Sequence, residues 1–467
     1  MNHAIEARLN AAGQAHLLQF GSELNAVQRQ SLQAQIEGID LDLIARLYRQ
    51  TDAAQDWSEM ARRAEPPPAI RLNQTVASET MTAALRGRAA LDGGQIGVVL
   101  VAGGQGTRLG FDAPKGIYPI GPVSGASLFQ ILLEKVAATA QRHGRSIPLF
   151  VMTSPATHVA TIEYLEASNR FGLPAEDVQV FCQGTMPAVD IKSGKLLLAE
   201  KDQLALSPDG HGGMLSAFAR CGGFETCQRR GIEQLFYMQI DNPLVSVCDS
   251  EFIGHHLIAR SELSTQVVAK QNPLDRVGNV VTVAGRMMII EYSDLPNDVA
   301  ELRNPDGTLK LWAGNIAVHL AEVAFLRRMV ESADSLPFHI AKKKVAYIDE
   351  LGQRIEPEQP NAIKFERFIF DLIPAAERSL VVEVDATKEF APLKNAAGEP
   401  KDSPETVRAQ MIALHRNWLE LAGFVVDAGV AVEISPRFAL DAEEVAAKVA
   451  TQGLTTELHV TQPRYFC

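Results

Sequence analysis

Two basic side chains, Arg108 and Lys115, belong to a glycine-rich stretch that follows a short apolar run. The run, residues 98–101, is mostly β-branched and ends at glycines, which is typical of a buried parallel strand. The glycines at 103, 104, 106 and 110 let backbone N–H groups approach a ligand closely, and successive N–H groups bind anions. Arg108 offers a rigid fork of donors and Lys115 a compact charge. The stretch therefore predicts a phosphate-binding loop.

The spacing within this loop differs from that of two widespread phosphate-binding loops. No Gly-Lys-Ser/Thr follows at the distance that a Walker loop requires. Arg108 replaces the small residues that let a helix pack on the strand in a dinucleotide fingerprint. Pro114 restricts the backbone before Lys115 and so sets how Lys115 is presented. A purely structural loop is the alternative, and the two cations weigh against it.

The pattern GGxGTRLGxxxPKG, which begins at Gly103, resembles the signature of nucleotidyltransferases that join a sugar 1-phosphate to a nucleoside triphosphate. The continuations GIYPIG and SLFQ narrow the resemblance to the UDP-N-acetylhexosamine pyrophosphorylases, within the UDP-sugar pyrophosphorylase (uridylyltransferase) family. Similar blocks follow in family order over roughly residues 95–415. The resemblance implies an α/β fold with a central mixed, mainly parallel sheet, Rossmann-like and of the nucleotide-diphospho-sugar transferase type.

The reaction implied by the resemblance takes UTP and a sugar 1-phosphate to a UDP-sugar and pyrophosphate. Such a transfer needs the phosphates to be positioned and their charge to be neutralised. Arg108 and Lys115 would stabilise the leaving pyrophosphate, and Lys364 would contact the nucleotide phosphates. A single lysine such as Lys364 is more often a solvated surface residue, so its role depends on the resemblance.

Asp241 is the candidate metal ligand. It follows the apolar run at residues 235–240 and precedes Asn-Pro. A carboxylate at the end of a strand suits Mg²⁺, which takes few protein carboxylates and keeps phosphate and water ligands. The residues alone explain Asp241 equally well as part of a turn or as a helix cap. The family's VDN motif at this place favours metal and substrate binding.

Nucleotide contacts are implied by the resemblance at two further places. Gln183 would recognise the uracil, because an amide can pair with both an imide N–H and a carbonyl. Gly210, in a second glycine-rich loop, would lie at the uridine. The complete nucleotide-binding set is Val101, Ala102, Gly103, Gly104, Gln183, Gly210 and Asp241.

The sequence leaves the identity of the sugar substrate open. The resemblance implies sugar contacts from His211, Gly278, Glu291, Asn315 and Lys394. Acetylhexosamine enzymes usually carry Asn where this chain has His211, and relatives that act on glucose 1-phosphate tend to carry His. N-acetylglucosamine 1-phosphate, or N-acetylgalactosamine 1-phosphate, is the expected substrate. A UTP–glucose-1-phosphate or broad-specificity UDP-sugar pyrophosphorylase is the alternative.

Two other function classes compete with this interpretation. A UDP-sugar-dependent glycosyltransferase would show an Asp-x-Asp metal motif after a strand, and the sequence Asp241-Asn242-Pro243 lacks the second Asp. A silent nucleotide-binding regulator would not need Arg108, Lys115 and Asp241 together.

The elements that must position these residues alternate between strands and helices, which predicts a mainly parallel sheet with ligands beyond the carboxyl ends of its strands. We predict a helical N-terminal region (1–92), a catalytic α/β domain (93–376) and a small C-terminal α+β domain (377–467). Asp40 would cap a helix at residues 41–49, a helix would cover 156–170, and a hairpin would turn at residues 284–286. A strand at residues 380–384 is assigned to the C-terminal domain.

Composition sets the class of the protein. The chain has 467 residues, 46% hydrophobic and 21% charged, with a formal net charge of −12 that argues against nucleic acid as a partner. No apolar run approaches the roughly 20 residues of a membrane span, and the N-terminus lacks a signal peptide. Five cysteines without a CxxC pair indicate reduced thiols and a cytoplasmic location. A monomer and a weak homodimer are both compatible with the sequence.

Overall fold

The computed structural model describes residues 3–50, 57–332, 336–452 and 459–467. They fall into two compact units. Unit 1 combines Met1–Asp56, Gln183–Ser216 and Asp334–Asp371, and unit 2 combines Trp57–Cys182, Ala217–Ala333 and Leu372–Cys467. Residues 51–56 of the predicted helical region, and 453–458 of the predicted C-terminal domain, lie outside the described part. The three predicted domains with boundaries at 92/93 and 376/377 stay a prediction.

The helices of the described residues include three long ones, α5, α6 and α14, of 16, 16 and 18 residues. They are α1 (His3–Ala11), α2 (Ala26–Glu37), α3 (Leu41–Arg49), α4 (Trp57–Arg62), α5 (Ala77–Asp92), α6 (Leu128–His143), α7 (His158–Ala167), α8 (Met214–Arg220), α9 (Gly223–Arg230), α10 (Ser250–Ile258), α11 (Asn297–Ala300), α12 (Val323–Glu331), α13 (Ala386–Glu389), α14 (Pro404–Leu421) and α15 (Ala442–Gln452).

The strands of the described residues alternate with these helices. They are β1 (Ile96–Val101), β2 (Leu149–Thr153), β3 (Val178–Cys182), β4 (Thr185–Pro187), β5 (Val189–Asp190), β6 (Leu198–Glu200), β7 (Gln203–Leu204), β8 (Leu206–Pro208), β9 (Gln234–Gln239), β10 (Leu263–Ala269), β11 (Asn279–Val283), β12 (Arg286–Ile290), β13 (Ala313–Glu322), β14 (His339–Lys343), β15 (Tyr347–Ile348), β16 (Arg354–Ile355), β17 (Ala362–Glu366), β18 (Ser379–Glu383), β19 (Val425–Val426), β20 (Val432–Ile434), β21 (His459–Val460) and β22 (Arg464–Phe466).

The large sheet of unit 2 is built around β1, which pairs in parallel with β2 on one side and with β9 on the other. Strand β3 extends the sheet beyond β2, also in parallel. Beyond β9 come β13, β10 and β18, and β13 is antiparallel to both of its long neighbours. The β11–β12 hairpin attaches to β13. The predicted α/β class with a mixed, mainly parallel sheet is confirmed.

Strand β1 is buried on both faces, which explains its continuous apolar sequence. Val98 and Leu100 belong to the main hydrophobic core of unit 2, together with Phe129 of α6. On the other face, a Cβ at Gly97 would lie 3.1 Å from the Leu235 side chain of β9. A parallel strand covered on both faces reads as an unbroken apolar run, as the sequence indicated.

Several helices begin at side chains that satisfy the backbone of the first turn. Asp40 accepts a hydrogen bond of 2.9 Å from the Leu43 N–H and caps α3, which confirms that prediction. Ser127 caps α6 and Ser403 caps α14, where Pro404 is the first helical residue. These caps supply acceptors to N–H groups that have no partner within the helix.

Helix α7 is shorter than the predicted 156–170, so that prediction is wrong at both ends. The helix covers His158–Ala167. Residues 169–172 all have positive φ, between 45° and 80°. This left-handed turn cannot continue a right-handed helix, because each left-handed residue other than glycine costs about 1–2 kcal/mol. The guanidinium of Arg437 donates a hydrogen bond to the Phe171 carbonyl within the turn.

The predicted hairpin forms with its turn at residues 284 and 285, between β11 and β12. Ala284 and Gly285 have φ of 50° and 79°, as the tight turns of hairpins require. The strand predicted at residues 380–384 is present as β18, but it pairs with β10 in the large sheet, with Val381 opposite Thr265. Val381 is fully buried, so the pairing covers an apolar strand.

Unit 1 has its own core beneath a small sheet. Strand β17 pairs with β14 and β5. Ile363 and Phe365 of β17 pack against apolar side chains of the N-terminal helices, among them Leu9, Leu32 and Ile36. The predicted N-terminal helices therefore fold against segments that come much later in the chain.

Helices α5 and α10 of unit 2 pack with their backbones in contact. A Cβ at Gly87 would lie 1.8 Å from the Ser250 carbonyl oxygen. A Cβ at Gly254 would lie 1.7 Å from the Ala83 carbonyl oxygen. Real Cβ atoms do not come this close to a carbonyl oxygen, so both helices need glycine where they cross.

We expect Gly254→Ala to destabilise the protein by about 1–3 kcal/mol, because the helices would have to move apart. Thermal unfolding followed by circular dichroism should show a lower Tm. Gly38→Ala is the matched control, since its Cβ would meet ordinary contacts at 3.5 Å and its φ is −74°. Equal Tm values for Gly254→Ala and the unchanged protein would contradict the backbone contact.

Candidate active site

The glycine-rich loop after β1 closes on itself. The Lys115 N–H donates to the Gly104 carbonyl at 3.0 Å, and the Gly106 N–H donates to the Ala113 carbonyl at 2.9 Å. A Cβ at Gly106 would lie 2.7 Å from the Phe111 carbonyl oxygen, so this position requires glycine. Gly104 is exposed, and a Cβ there would meet open space. The backbone at Gly104 is therefore approachable by a ligand, as a phosphate loop requires.

The base of this loop is fixed by the neighbouring strands. Ala102 donates its N–H to the Met152 carbonyl at 2.7 Å, and Val101 accepts from the Ile240 N–H at 3.0 Å. The Ser154 hydroxyl, just beyond β2, donates to the Gly103 carbonyl at 2.7 Å. The predicted nucleotide-binding residues 101–104 thus lie at the carboxyl end of β1. Sequence reasoning missed Ser154, which a Ser-Pro at a strand end does not distinguish from a turn.

Lys115 lies in a partly buried cluster of charged side chains. Its ammonium donates to the Leu393 carbonyl at 2.9 Å and lies 3.9 Å from the Asp241 carboxylate. Burial lowers the pKa of Lys115; Asp241 opposes this shift, and Lys394 and Arg108 add to it. The structure therefore brings together four predicted site residues, which we call the cation cluster: Arg108, Lys115, Lys394 and Asp241.

The segment that carries Lys394 is held from two sides. The Leu393 N–H donates to the Asp241 carbonyl at 2.8 Å. The Lys394 N–H donates to the Asp402 carbonyl, also at 2.8 Å, and Asp402 has a positive φ of 55°. Burial raises the pKa of Asp402, and the nearby lysines Lys394 and Lys401 oppose the shift. Sequence reasoning missed Asp402, because no motif spacing singles it out.

A divalent cation fits this cluster in one way. Among the described residues, no group of three or more His, Cys, Asp or Glu side chains could hold a metal by itself. Within the cation cluster, Asp241 offers a carboxylate that is 15% exposed. Mg²⁺ is commonly bound by one or two carboxylates together with substrate phosphates and water. The residues present therefore suit a cation that arrives with the phosphates.

Three predicted sugar contacts of unit 2 are neighbours at the start of the hairpin. The Asn315 N–H donates to the Gly278 carbonyl at 2.8 Å. A Cβ at Gly278 would lie 3.0 Å from the Glu291 carboxylate oxygen. The Asn315 side-chain oxygen accepts from the Ala317 N–H at 3.0 Å, which fixes its orientation. The Glu291 and Asn315 side chains thus converge beside Gly278, a position where only glycine leaves room.

Lys270 is a third residue, after Ser154 and Asp402, to which sequence reasoning gave no role. It is buried, and its ammonium donates to the Asn279 side-chain oxygen. Burial lowers its pKa to about 8, and Asp275 opposes the shift. Lys270 thereby ties β10 to the first residue of β11, next to Gly278.

The second glycine-rich loop belongs to unit 1. Gly210 has a φ of 84°, and a Cβ there would lie 2.4 Å from the Arg367 carbonyl oxygen. The Gly212 N–H donates to that same carbonyl at 2.8 Å. The Asp209 N–H donates to the Gly184 carbonyl at 3.1 Å, so the loop lies beside the segment that carries Gln183. Gln183 is 8% exposed.

His211, in this loop, is a neutral stacked ring. It lies 5.1 Å from the Phe368 ring with an angle of 16° between the planes. Its Nδ1 accepts from the Ile369 N–H at 3.2 Å, so the ring proton is on Nε2. Burial, and after it the neighbouring His339, lowers the pKa of His211 to about 4. His211 is therefore uncharged at neutral pH.

Lys364 also belongs to unit 1. It lies on β17 opposite Ala341 and lines a cavity of about 490 Å³ with Gln35, Ala205 and Val345. The cation cluster of unit 2 accordingly contains three of the four cations predicted to bind phosphates.

Comparison with known proteins gives consistent findings. A family model described as UTP–glucose-1-phosphate uridylyltransferase matches residues 43–417. The chain is 40% identical over 367 residues to UDP-N-acetylglucosamine pyrophosphorylase of Saccharomyces cerevisiae, covering 77% of each chain. It is 36% identical over 434 residues to UDP-N-acetylhexosamine pyrophosphorylase-like protein 1 of Homo sapiens, covering 90% of this chain and 85% of that one.

A solved structure agrees with the fold over almost the whole chain. The crystal structure of uridine diphosphate N-acetylglucosamine pyrophosphorylase from Trypanosoma brucei, in complex with an inhibitor, matches with a TM-score of 0.82. The match covers 99% of this chain and 97% of that chain at 25% identity.

We expect His211 to make the protein less stable as the pH falls from about 6.5 towards 4. The unfolded histidine binds a proton in this range, whereas the folded ring stays neutral, so acid favours unfolding. The His211→Asn variant lacks this group. Urea unfolding at pH 7, 6 and 5 should therefore show a weaker loss of stability for the variant. Identical pH dependence in the two proteins would contradict the lowered pKa.

Proposed function

Because the chain belongs to the UTP–glucose-1-phosphate uridylyltransferase family, we propose that it makes UDP-N-acetylglucosamine and pyrophosphate from UTP and N-acetylglucosamine 1-phosphate. The chain is a nucleotidyltransferase. The names of the relatives from Saccharomyces cerevisiae and Homo sapiens, at 40% and 36% identity, support the acetylated sugar.

One observation carries the proposal at the level of residues. Lys115 presents its ammonium beside the glycine-rich loop, between the Leu393 carbonyl and the Asp241 carboxylate. Arg108 and Lys394 lie close enough to lower the pKa of Lys115. Three cations beside the exposed backbone at Gly104 form a favourable environment for a triphosphate.

The chemistry that we propose is a direct displacement. An oxygen of the sugar 1-phosphate forms a bond to the α-phosphorus of UTP, and the bond from that phosphorus to the β-phosphate oxygen breaks, which releases pyrophosphate. Arg108 and Lys115 stabilise charge on the leaving pyrophosphate. Lys394 holds the incoming phosphate and Lys364 the α-phosphate. Positioning and charge neutralisation of this kind supply most of the catalysis in such transfers.

A divalent cation, which we propose to be Mg²⁺, completes the charge balance. Asp241 would hold it together with phosphate oxygens and water, in keeping with its single carboxylate at the end of β9. When bound, the cation neutralises charge on the phosphates.

Recognition of the two substrates is proposed for the remaining site residues. The backbone at residues 101–104 would contact the nucleotide phosphates, Gln183 the uracil and Gly210 the uridine. His211, Gly278, Glu291 and Asn315 would contact the sugar. The cluster of Gly278, Glu291 and Asn315 supports this assignment, because its glycine leaves space beside two polar side chains.

A UTP–glucose-1-phosphate uridylyltransferase is the second candidate, and His211 is the observation that favours it. The ring is neutral and carries its proton on Nε2, so it donates where an Asn side chain could donate or accept. The description of the matching family names glucose 1-phosphate as well.

The setting of the reaction is part of the proposal. No helix of the described residues has the length and apolar character of a membrane span. The five cysteines, all of them described residues, form no disulfide, which suits the reducing environment of the cytoplasm. We propose UTP, a sugar 1-phosphate and pyrophosphate as the ligands, a cytoplasmic location and no nucleic acid partner.

We expect pyrophosphate release from UTP to be fastest with N-acetylglucosamine 1-phosphate. The assay compares the 1-phosphates of N-acetylglucosamine, N-acetylgalactosamine, glucose and galactose with Mg²⁺ present. A preference for glucose 1-phosphate would favour the second candidate. Release from none of the four would contradict both.

Lys115→Ala should lower kcat by at least about 100-fold, because the variant lacks a cation that faces the phosphates. The same assay measures it, and circular dichroism checks that the fold is retained. Lys342→Ala is the matched control, since Lys342 is exposed on β14 and has no proposed role. Turnover of Lys115→Ala equal to that of the unchanged protein would exclude the role of Lys115.

A further inference from the structure

The segment before Lys394 runs alongside the loop that follows Asp241, and side chains join the two. The Asn242 side-chain amide donates to the Glu389 carbonyl at 2.7 Å. The oxygen of the same side chain accepts from the Ala391 N–H at 3.0 Å. Asn242 thus turns to the backbone of the segment that ends at Leu393.

Glu389 returns the contact with its side chain. One carboxylate oxygen accepts from the Ser246 N–H at 2.8 Å and the other from the Ser246 hydroxyl at 2.6 Å. Lys135 of α6 donates to the Pro243 and Val245 carbonyls at 2.8 and 2.9 Å. The loop from residue 242 to 246 is therefore held from both sides by charged groups.

Partial burial shifts the pKa values of both charged groups, Glu389 and Lys135. Burial raises the pKa of Glu389, and Asp249 adds to the shift while Lys135 opposes it. Burial lowers the pKa of Lys135, and Glu389 opposes that shift. A partly buried carboxylate that keeps two short hydrogen bonds holds its partners more firmly than a fully exposed one.

The two segments meet again at the cation cluster. The Leu393 N–H donates to the Asp241 carbonyl at 2.8 Å, and the Leu393 carbonyl accepts from the Lys115 ammonium at 2.9 Å. Any shift of residues 389–393 relative to the loop after Asp241 would therefore move an acceptor of Lys115 and the backbone of Lys394.

We propose that Glu389 is a positioning residue for the transfer, which acts with Asn242 and Ser246 as a clamp that sets Leu393 and Lys394 against Asp241 and Lys115. The proposal rests on the proposed function and deepens it. Glu389 lies five residues before Lys394, the nearest residue along the chain with a substrate role, so it acts through the backbone of the segment.

The clamp predicts a particular pattern of kinetic changes. Glu389→Ala should lower kcat about 10- to 100-fold, because a displacement of reacting groups by about 1 Å has effects of this size. The KM for UTP should change less than about threefold, since the glycine-rich loop that approaches the nucleotide is untouched. Glu389→Gln should stay within about threefold of the unchanged kcat, because its amide can keep both hydrogen bonds to Ser246.

Controls separate positioning from general damage. Glu399→Ala removes an exposed carboxylate further along the same segment and should leave kcat and KM unchanged. Ser246→Ala removes one of the two bonds to Glu389 and should give a smaller loss of kcat than Glu389→Ala. It also serves if Glu389→Ala does not fold. A Gln variant as slow as the Ala variant, or a rise in the KM for UTP that matches the loss of kcat, would overturn the proposal.

Hydrogen exchange provides a measurement that does not depend on turnover. In Glu389→Ala the amides of Ala391 and Leu393 should exchange at least tenfold faster than in the unchanged protein, while amides of β1 keep their rates. Unchanged exchange at Leu393 would overturn the clamp. If the unchanged protein releases no pyrophosphate, the proposed function fails, and the exchange experiment still decides whether the clamp exists.

Discussion

The placement of the Lys115 ammonium is the constraint on which the site of unit 2 depends. A half-buried lysine beside two other cations tends to lose its proton, and Asp241 and the Leu393 carbonyl oppose this. The sheet positions both of these partners. Strand β9 pairs with β1 with Val101 opposite Gln239, which brings the residues after each strand to the same edge. The register of these parallel strands therefore decides which charged groups lie together at the edge of the sheet.

What could be predicted from the sequence was local. The buried strand before the glycines, the cap at Asp40 and the hairpin turn at residues 284–286 each depend on neighbours within a few positions, and all three are present. Contacts between distant segments left no such trace. Asp402 acts through its backbone carbonyl, and Ser154 through a hydroxyl that any turn could contain. The assignment of β18 to a terminal domain, instead of the large sheet, has the same origin, because pairing partners do not appear in a strand's own sequence.

Two glycines and one histidine show how local surroundings set the role of a residue in this chain. Gly210 leaves room for a backbone carbonyl, and Gly254 leaves room for a neighbouring helix. Burial keeps His211 neutral, so its contribution to binding would be a directed N–H and not a charge. An uncharged donor suits a sugar hydroxyl or acetamido group better than a cation does. The charges that would offset the phosphates belong to the cation cluster instead.

The left-handed turn at residues 169–172 has a consequence for the order of folding. Its backbone conformation is intrinsically unfavourable. The Arg437 guanidinium, which donates a hydrogen bond to the Phe171 carbonyl of the turn, lies 266 residues further along the chain. During synthesis on the ribosome, the sheet around β1 and β2 can collapse early, whereas this turn gains its partner only after Arg437 has been synthesised. The segment that leads into β3 therefore becomes fixed long after β3 itself has been synthesised.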